Sequence, residues 1–94
     1  MAYQVSKAGL HMLTRSAAVE FAARSVRVNA VLPGVIRTPM VSDLDREALA
    51  LRRDQAPLRR SGEPRDVADA VCYLATADFV TGSLLPVDGG RIGI

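Results

Sequence analysis

Between Tyr3 and about Arg24 the apolar residues Leu10, Leu13, Ala17, Ala18, Phe21 and Ala22 recur at spacings of three and four, the stripe of an amphipathic helix. Only Met1 and Ala2 precede Tyr3, with no Ser, Thr, Asp or Asn to cap the first amides, so the helix reads as cut rather than started there. Val26 to Leu32 is valine-rich, alternates at first and then turns wholly apolar, as expected of a strand buried on both faces. Pro33-Gly34 stops it. From Val35 to Gly62 the pattern predicts a long connection holding a short helix, with Ser42-x-x-Asp45 as its capping box and Leu44, Ala48, Leu49 and Leu51 behind it. Glu63-Pro64 opens another helix, with Val67, Ala68, Val71, Leu74 and Ala75 as its buried stripe and an end near Asp78. Thr81-Gly82 turns the chain into a last strand, Ser83 to Val87, and Asp88-Gly89-Gly90 turns it out again. Pro86 cannot donate to a ladder, so that strand lies at an edge or is locally unpaired.

The order helix, strand, loop with helix, helix, strand predicts an α/β fold in which a long crossover joins a parallel pair. Two strands cannot make the two-sided sheet that the apolar run Val28 to Leu32 demands. The expectation is an incomplete domain whose other strands lie in sequence absent here. There is no internal repeat and no low-complexity tract.

Composition narrows the class. Ninety-four residues, 49% hydrophobic and 23% charged, suit one small globular domain. A net charge of +2 with arginines interleaved among ten acids, and four aromatic residues, gives no basic stripe or stacking platform, which argues against nucleic acid as a partner. No apolar run approaches a membrane span, and the N-terminus lacks the charged-then-apolar order of a secretory signal. Cys72 and His11 are each alone, which excludes an internal disulfide and a multi-cysteine metal site; a cytoplasmic location and no metal are expected.

Lys7 is the only lysine among twelve basic residues, and it lies four positions after Tyr3. Residues so spaced share a helix face, so an ammonium can act on a phenol whose ordinary pKa is about 10. An unpaired ammonium on an inward face is costly, so Lys7 should have a specific partner. A second constellation runs from Asn29 through Pro33, Gly34, Val35, Ile36 and Arg37 to Thr38, Pro39 and Met40. It is a strand ending in a sharp turn, and ligands of open parallel sheets bind at that end. His11 reads as a surface or packing residue away from the Tyr3 stripe, and Cys72 as a small buried hydrophobe. Arg52, Arg53, Arg59 and Arg60 read as a solvated surface, and Asp88-Gly89-Gly90 as a turn and subunit contact.

Together these pieces resemble the short-chain dehydrogenase/reductase family. Its Tyr-x-x-x-Lys appears as Tyr3-Gln4-Val5-Ser6-Lys7, followed by Ala8. Its next signature appears as Arg27-Val28-Asn29-Ala30-Val31 leading into Pro33-Gly34-Val35-Ile36-Arg37-Thr38. Gly62-Glu63-Pro64 before Asp66-Val67-Ala68, then Leu74-Ala75, Thr81-Gly82 and Val87-Asp88-Gly89-Gly90, complete the match in order. The resemblance implies the C-terminal part of a Rossmann-type doubly wound parallel sheet and NAD- or NADP-dependent hydride transfer between an alcohol and a carbonyl on a small-molecule substrate. It implies catalytic roles for Tyr3, as general acid–base, and for Lys7, as ribose holder and phenol activator. Tyr3, Lys7, Pro33, Gly34, Val35, Ile36 and Thr38 would line the cofactor, Met40, Val41 and Leu44 the substrate loop. The full-length protein would be a homo-oligomer, assembled through the tyrosine-bearing helix and last strand. A lysine four residues after the tyrosine argues against the enoyl-reductase branch.

The family's glycine-rich dinucleotide turn, its substrate-side serine and its relay asparagine are absent from these residues, and Ser6 does not replace that serine. The resemblance therefore implies negligible activity for these 94 residues alone. The competing reading is a non-catalytic module that binds a partner or complements an N-terminal chain through its apolar edges.

Overall fold

The computed structural model describes residues 2–37 and 43–91. Their order is α1 (Ala2–Ala22), β1 (Ala30–Pro33), α2 (Asp43–Gln55), α3 (Pro64–Thr76) and β2 (Leu84–Val87). β1 and β2 form a parallel two-stranded sheet in the register Ala30↔Leu84 to Pro33↔Val87. The α/β class and the parallel pair are as the sequence predicts. The expected Ser42 cap lies outside the described residues.

The first strand is shorter than its apolar run. Val26 to Asn29 form no ladder, because this stretch is tied to residues 74–83 by other means: Val28 N–H donates to Thr81 Oγ1 at 3.1 Å, and Gly82 N–H donates to the Val28 carbonyl at 2.7 Å. The regular ladder starts only where Ala30 N–H meets the Ser83 carbonyl at 2.9 Å and closes where Gly34 N–H meets the Val87 carbonyl at 2.9 Å. In a parallel pair alternate residues bond to one neighbour. Ala30, Leu32 and Gly34 thus face β2, while Val31 and Pro33 turn their backbone groups to the opposite edge. On β2, Pro86 likewise points away from β1, which is the edge placement expected of it.

α1 ends in a Schellman arrangement, with Val26 N–H on the Phe21 carbonyl at 3.2 Å and Ser25 N–H on the Ala22 carbonyl at 2.9 Å. Ser25 occupies the left-handed position at φ 58°, where glycine is usual.

The buried stripes differ from expectation. On α1 the buried side chains are Thr14 and Ala18, whereas Leu13 is 67% exposed and Leu10 and Phe21 more than a third exposed. Small residues win because the helix meets the chain just before β2: a Cβ on Gly82 would stand 3.4 Å from Ala18 Cβ. α3 packs on both strands but buries only Leu74, leaving Val71 half exposed. Leu51 of α2 and Tyr73 and Cys72 of α3 are also exposed, so Cys72 is not the buried hydrophobe expected.

The common cause is that little stands opposite these faces. The chain exposes 7135 Å², against about 5,300 Å² for a compact monomer of its mass, and its radius of gyration is 15.2 Å against about 12 Å. No side chain among the described residues is fully buried.

Ser25→Gly should relieve the left-handed strain at the end of α1 and raise stability by about 1 kcal/mol. Urea unfolding followed by far-UV circular dichroism reads this as a higher midpoint with an unchanged slope.

Candidate functional site

Tyr3 and Lys7 both lie in α1, one turn apart. Lys7 is half-buried and is not without a partner; the Tyr3 side chain lies outside what the structure describes. Lys7 lines a mainly apolar hollow of about 420 Å³ with Ala8, His11, Met12, Leu32 and Leu84. His11 is therefore not away from the Tyr3–Lys7 face, as expected from sequence, but on its rim. It follows Lys7 by the same four residues that separate Lys7 from Tyr3, and that spacing could have found it. Leu32 and Leu84, on adjacent strands and two positions apart in register, were legible only as core.

The strand-ending turn is held from two sides. Gly34 was expected to let backbone approach a ligand. The structure shows that its missing side chain also lets the Asp88 backbone approach, since a Cβ there would lie 2.8 Å from Asp88 Cα and 2.7 Å from Asp88 Cβ. Beyond it, Gly62 N–H donates to the Val35 carbonyl at 2.7 Å and Arg37 N–H donates to the Gly62 carbonyl at 2.8 Å, forming a parallel bridge centred on Ile36. The neighbours of Ile36 take both rungs, so its own N–H and C=O face the opposite edge. Gly62 also admits the Ile36 side chain, whose Cδ1 would be 2.8 Å from an added Cβ.

Gly62 is in turn anchored by the start of α3. Asp66 accepts from Glu63 N–H at 2.7 Å and pairs with Arg60 at 3.5 Å. That backbone donor, more than the Arg60 charge, holds the Asp66 carboxyl below the ordinary aspartate range, against an opposing effect of burial. Arg37 and Glu63 close a further ion pair at 3.2 Å, exposed enough to contribute little. Arg53, Arg59 and Arg60 are exposed, in line with the solvated surface expected.

Lys7 and the turn are thus brought near one another through Leu32, the residue before Pro33. Val35 lines a separate hollow of about 360 Å³ that includes Gly62, Asp66 and Val87 to Gly90. Thr38, Met40 and Val41 lie outside the described residues, as does the side chain of Leu44. Asp88, Gly89 and Gly90 form the expected turn, with Gly90 N–H on Asp88 Oδ1 at 2.9 Å and Leu58 N–H on the Gly89 carbonyl at 3.0 Å.

The backbone fold is similar to that of a solved short-chain dehydrogenase family protein from Francisella tularensis, with a TM-score of 0.82 at 30% identity over 100% of this chain and 44% of that one. A family model described as Enoyl-(Acyl carrier protein) reductase matches residues 1–91. The chain belongs to the short-chain dehydrogenase/reductase family. Among its relatives, cis-4-hydroxycyclohexanecarboxylate dehydrogenase of Sinomonas cyclohexanicum is 46% identical over 94 residues, which cover 98% of this chain and 38% of that protein. Carbonyl reductase family member 4 of Danio rerio is 50% identical over 88 residues, covering 94% and 36%. The chain thus spans little more than a third of the length of these relatives, and the fold is part of the family's Rossmann-type sheet.

Two outcomes follow from the geometry. Gly34→Ala should cost about 1–3 kcal/mol, because the Asp88 backbone must move to admit the methyl group; chemical denaturation measures it. The lowered Asp66 pKa contributes stability that is fully present above the ordinary aspartate range and is lost as pH falls through the lower folded value. An NMR titration of the Asp66 carboxyl should give a midpoint below the ordinary one, returning to it as the fold is lost in urea.

Proposed function

We propose that this chain is the C-terminal part, residues 1–94, of a single nucleotide-binding domain whose complete form interconverts an alcohol and a carbonyl with NAD or NADP. The observation that carries the reading is the pair formed by a half-buried lysine one helical turn after a tyrosine and a strand-ending turn reached through Leu32. Membership of an oxidoreductase family supports it, as do the dehydrogenase and carbonyl reductase names of its relatives.

The residues present suit a nicotinamide cofactor. A carboxamide needs a donor and an acceptor side by side, and Ile36 turns one N–H and one C=O away from the Gly62 bridge. In that role Pro33, Gly34, Val35 and Ile36 form the wall against the ring, and Thr38 adds a hydroxyl. When bound, the cofactor supplies or accepts the hydride. Lys7 holds ribose hydroxyls with its ammonium and favours the ionised phenol of Tyr3. Tyr3 gives its Oη proton to the carbonyl oxygen in reduction and takes the hydroxyl proton in oxidation. Met40, Val41 and Leu44 cover an apolar substrate. The four-residue interval between Tyr3 and Lys7 favours carbonyl over enoyl substrates, although the family model bears the enoyl description. The complete protein is a homo-oligomer, and its substrate is a small molecule.

A second reading, a module that complements an N-terminal chain in trans, is favoured by the excess surface and by the outer edge of β1 at Val31, which pairs with no strand among the described residues.

The test is a hybrid in which this chain replaces the matching segment of the Sinomonas dehydrogenase, assayed with cis-4-hydroxycyclohexanecarboxylate by nicotinamide absorbance. Turnover is expected, and Tyr3→Phe should lower kcat by about 10²-fold or more with the cofactor still bound. A Tyr3→Phe hybrid as active as its parent would overturn the assignment. The 94-residue chain by itself should give no turnover with either cofactor.

A further inference from the structure

Arg27 and Asn29 belong to the signature that precedes the turn, yet neither has a role in the proton or cofactor chemistry above. Both are occupied elsewhere. Arg27 directs its guanidinium at three main-chain carbonyls, donating from Nη1 to Leu74 at 2.6 Å and to Val80 at 3.2 Å, and from Nη2 to Ala75 at 2.9 Å. Leu74 and Ala75 belong to the last turn of α3, which has no basic residue of its own. A cation is favoured at such an end, where carbonyls lack helical partners.

Asn29 grips the same place with both ends of its amide. Its Nδ2 donates to the Val80 carbonyl at 3.0 Å, and its Oδ1 accepts from Ser83 N–H at 3.1 Å and Ser83 Oγ at 3.0 Å. The Val80 carbonyl therefore receives Arg27 and Asn29 together. These contacts sit just before the first rung of the ladder, from Ala30 to Ser83.

Position matters because β1 is so short. Four residues of parallel ladder set register weakly, and a slip of one residue would advance the strand by about 3.3 Å and turn every side chain to the other face. Leu32 would leave the Lys7 hollow, and Ile36 would leave its bridge with Gly62. The bonds that Arg27 and Asn29 make belong to the register that puts Val80 and Ser83 beside them.

We infer that Arg27 and Asn29 are positioning residues that lock the register of β1 on β2 at the start of the strand and thereby place the Pro33–Ile36 turn at its far end. The relevance to catalysis rests on the proposed function, but the lock itself does not, and its test needs neither cofactor nor turnover.

Amide hydrogen exchange on the 94-residue chain reads the lock directly. Arg27→Lys keeps the charge but loses the fork, and Asn29→Ala removes both ends of the clamp. Each should speed exchange of the Gly34, Gly62 and Arg37 amides by about tenfold, the loss expected when one part-buried hydrogen bond supporting a local closure is removed. Asn29→Asp keeps the acceptor for Ser83 and should fall between Asn29→Ala and the parent. Thr81→Val removes a neighbouring bond, to Val28 N–H, and should leave the far-end amides unchanged. Acceleration confined to Gly82 and Ser83 would overturn the inference and leave a local cap. Equal acceleration of all amides, α1 included, would also overturn it, since the pair would then hold the fold as a whole rather than the register.

Discussion

The alternation of hydrogen bonds along β1 is the constraint on which the other features depend. A strand can satisfy a neighbour on each side only by dividing its residues between them. With Ala30 and Gly34 committed to β2, Val31 and Pro33 are committed to the other side, and the two prolines of the sheet fall where their missing N–H groups remove nothing from the β1–β2 ladder. Past the strand Val35 and Arg37 bond to Gly62, and Ile36 turns its own backbone groups away from that bridge. The proposed cofactor contact is thus a consequence of pairing, with no dedicated side chain needed.

That division also explains why so much apolar surface remains. The outer edge of β1 presents polar backbone groups, and the hollow over Leu32 and Leu84 presents apolar ones. Both kinds of surface are covered together only by another strand with a helix over it, as in any doubly wound sheet. The 38% share of a relative's length that this chain represents agrees with a surface well above that of a compact monomer of its mass.

Much of the fold was legible because it is written in local chemistry. Proline at the first position of α3, glycine at turns and the spacing of Tyr3 and Lys7 each act over a few residues, and each appears where it was expected. The failures were of a different kind. The run Val26 to Leu32 predicts a strand throughout, yet its first half is captured by side chains of distant residues, Thr81 among them, which no periodicity reports. Leu10, Leu13 and Val71 read as core because they are apolar, but burial depends on what stands opposite, and here little does. Gly34 reads as room for a ligand, and no local pattern reports that Asp88, fifty-four positions away, needs room there too.

The same exposure bears on the chemistry proposed for Tyr3. Bringing a phenol from about 10 to near neutrality takes about three pKa units, or roughly 4 kcal/mol of preference for the ionised form. An ammonium at about 4 Å supplies only about 1 kcal/mol in open water and about 4 kcal/mol where the effective dielectric constant is near 20. A lysine half open to solvent, as Lys7 is here, works nearer the first limit than the second. In the proposed chemistry the surroundings of Lys7 therefore matter as well as the groups that touch substrate. In that chemistry a cover over the hollow beside Leu32 and Leu84 would also set the dielectric in which Lys7 acts, so covering the hollow and activating the phenol would be one physical event.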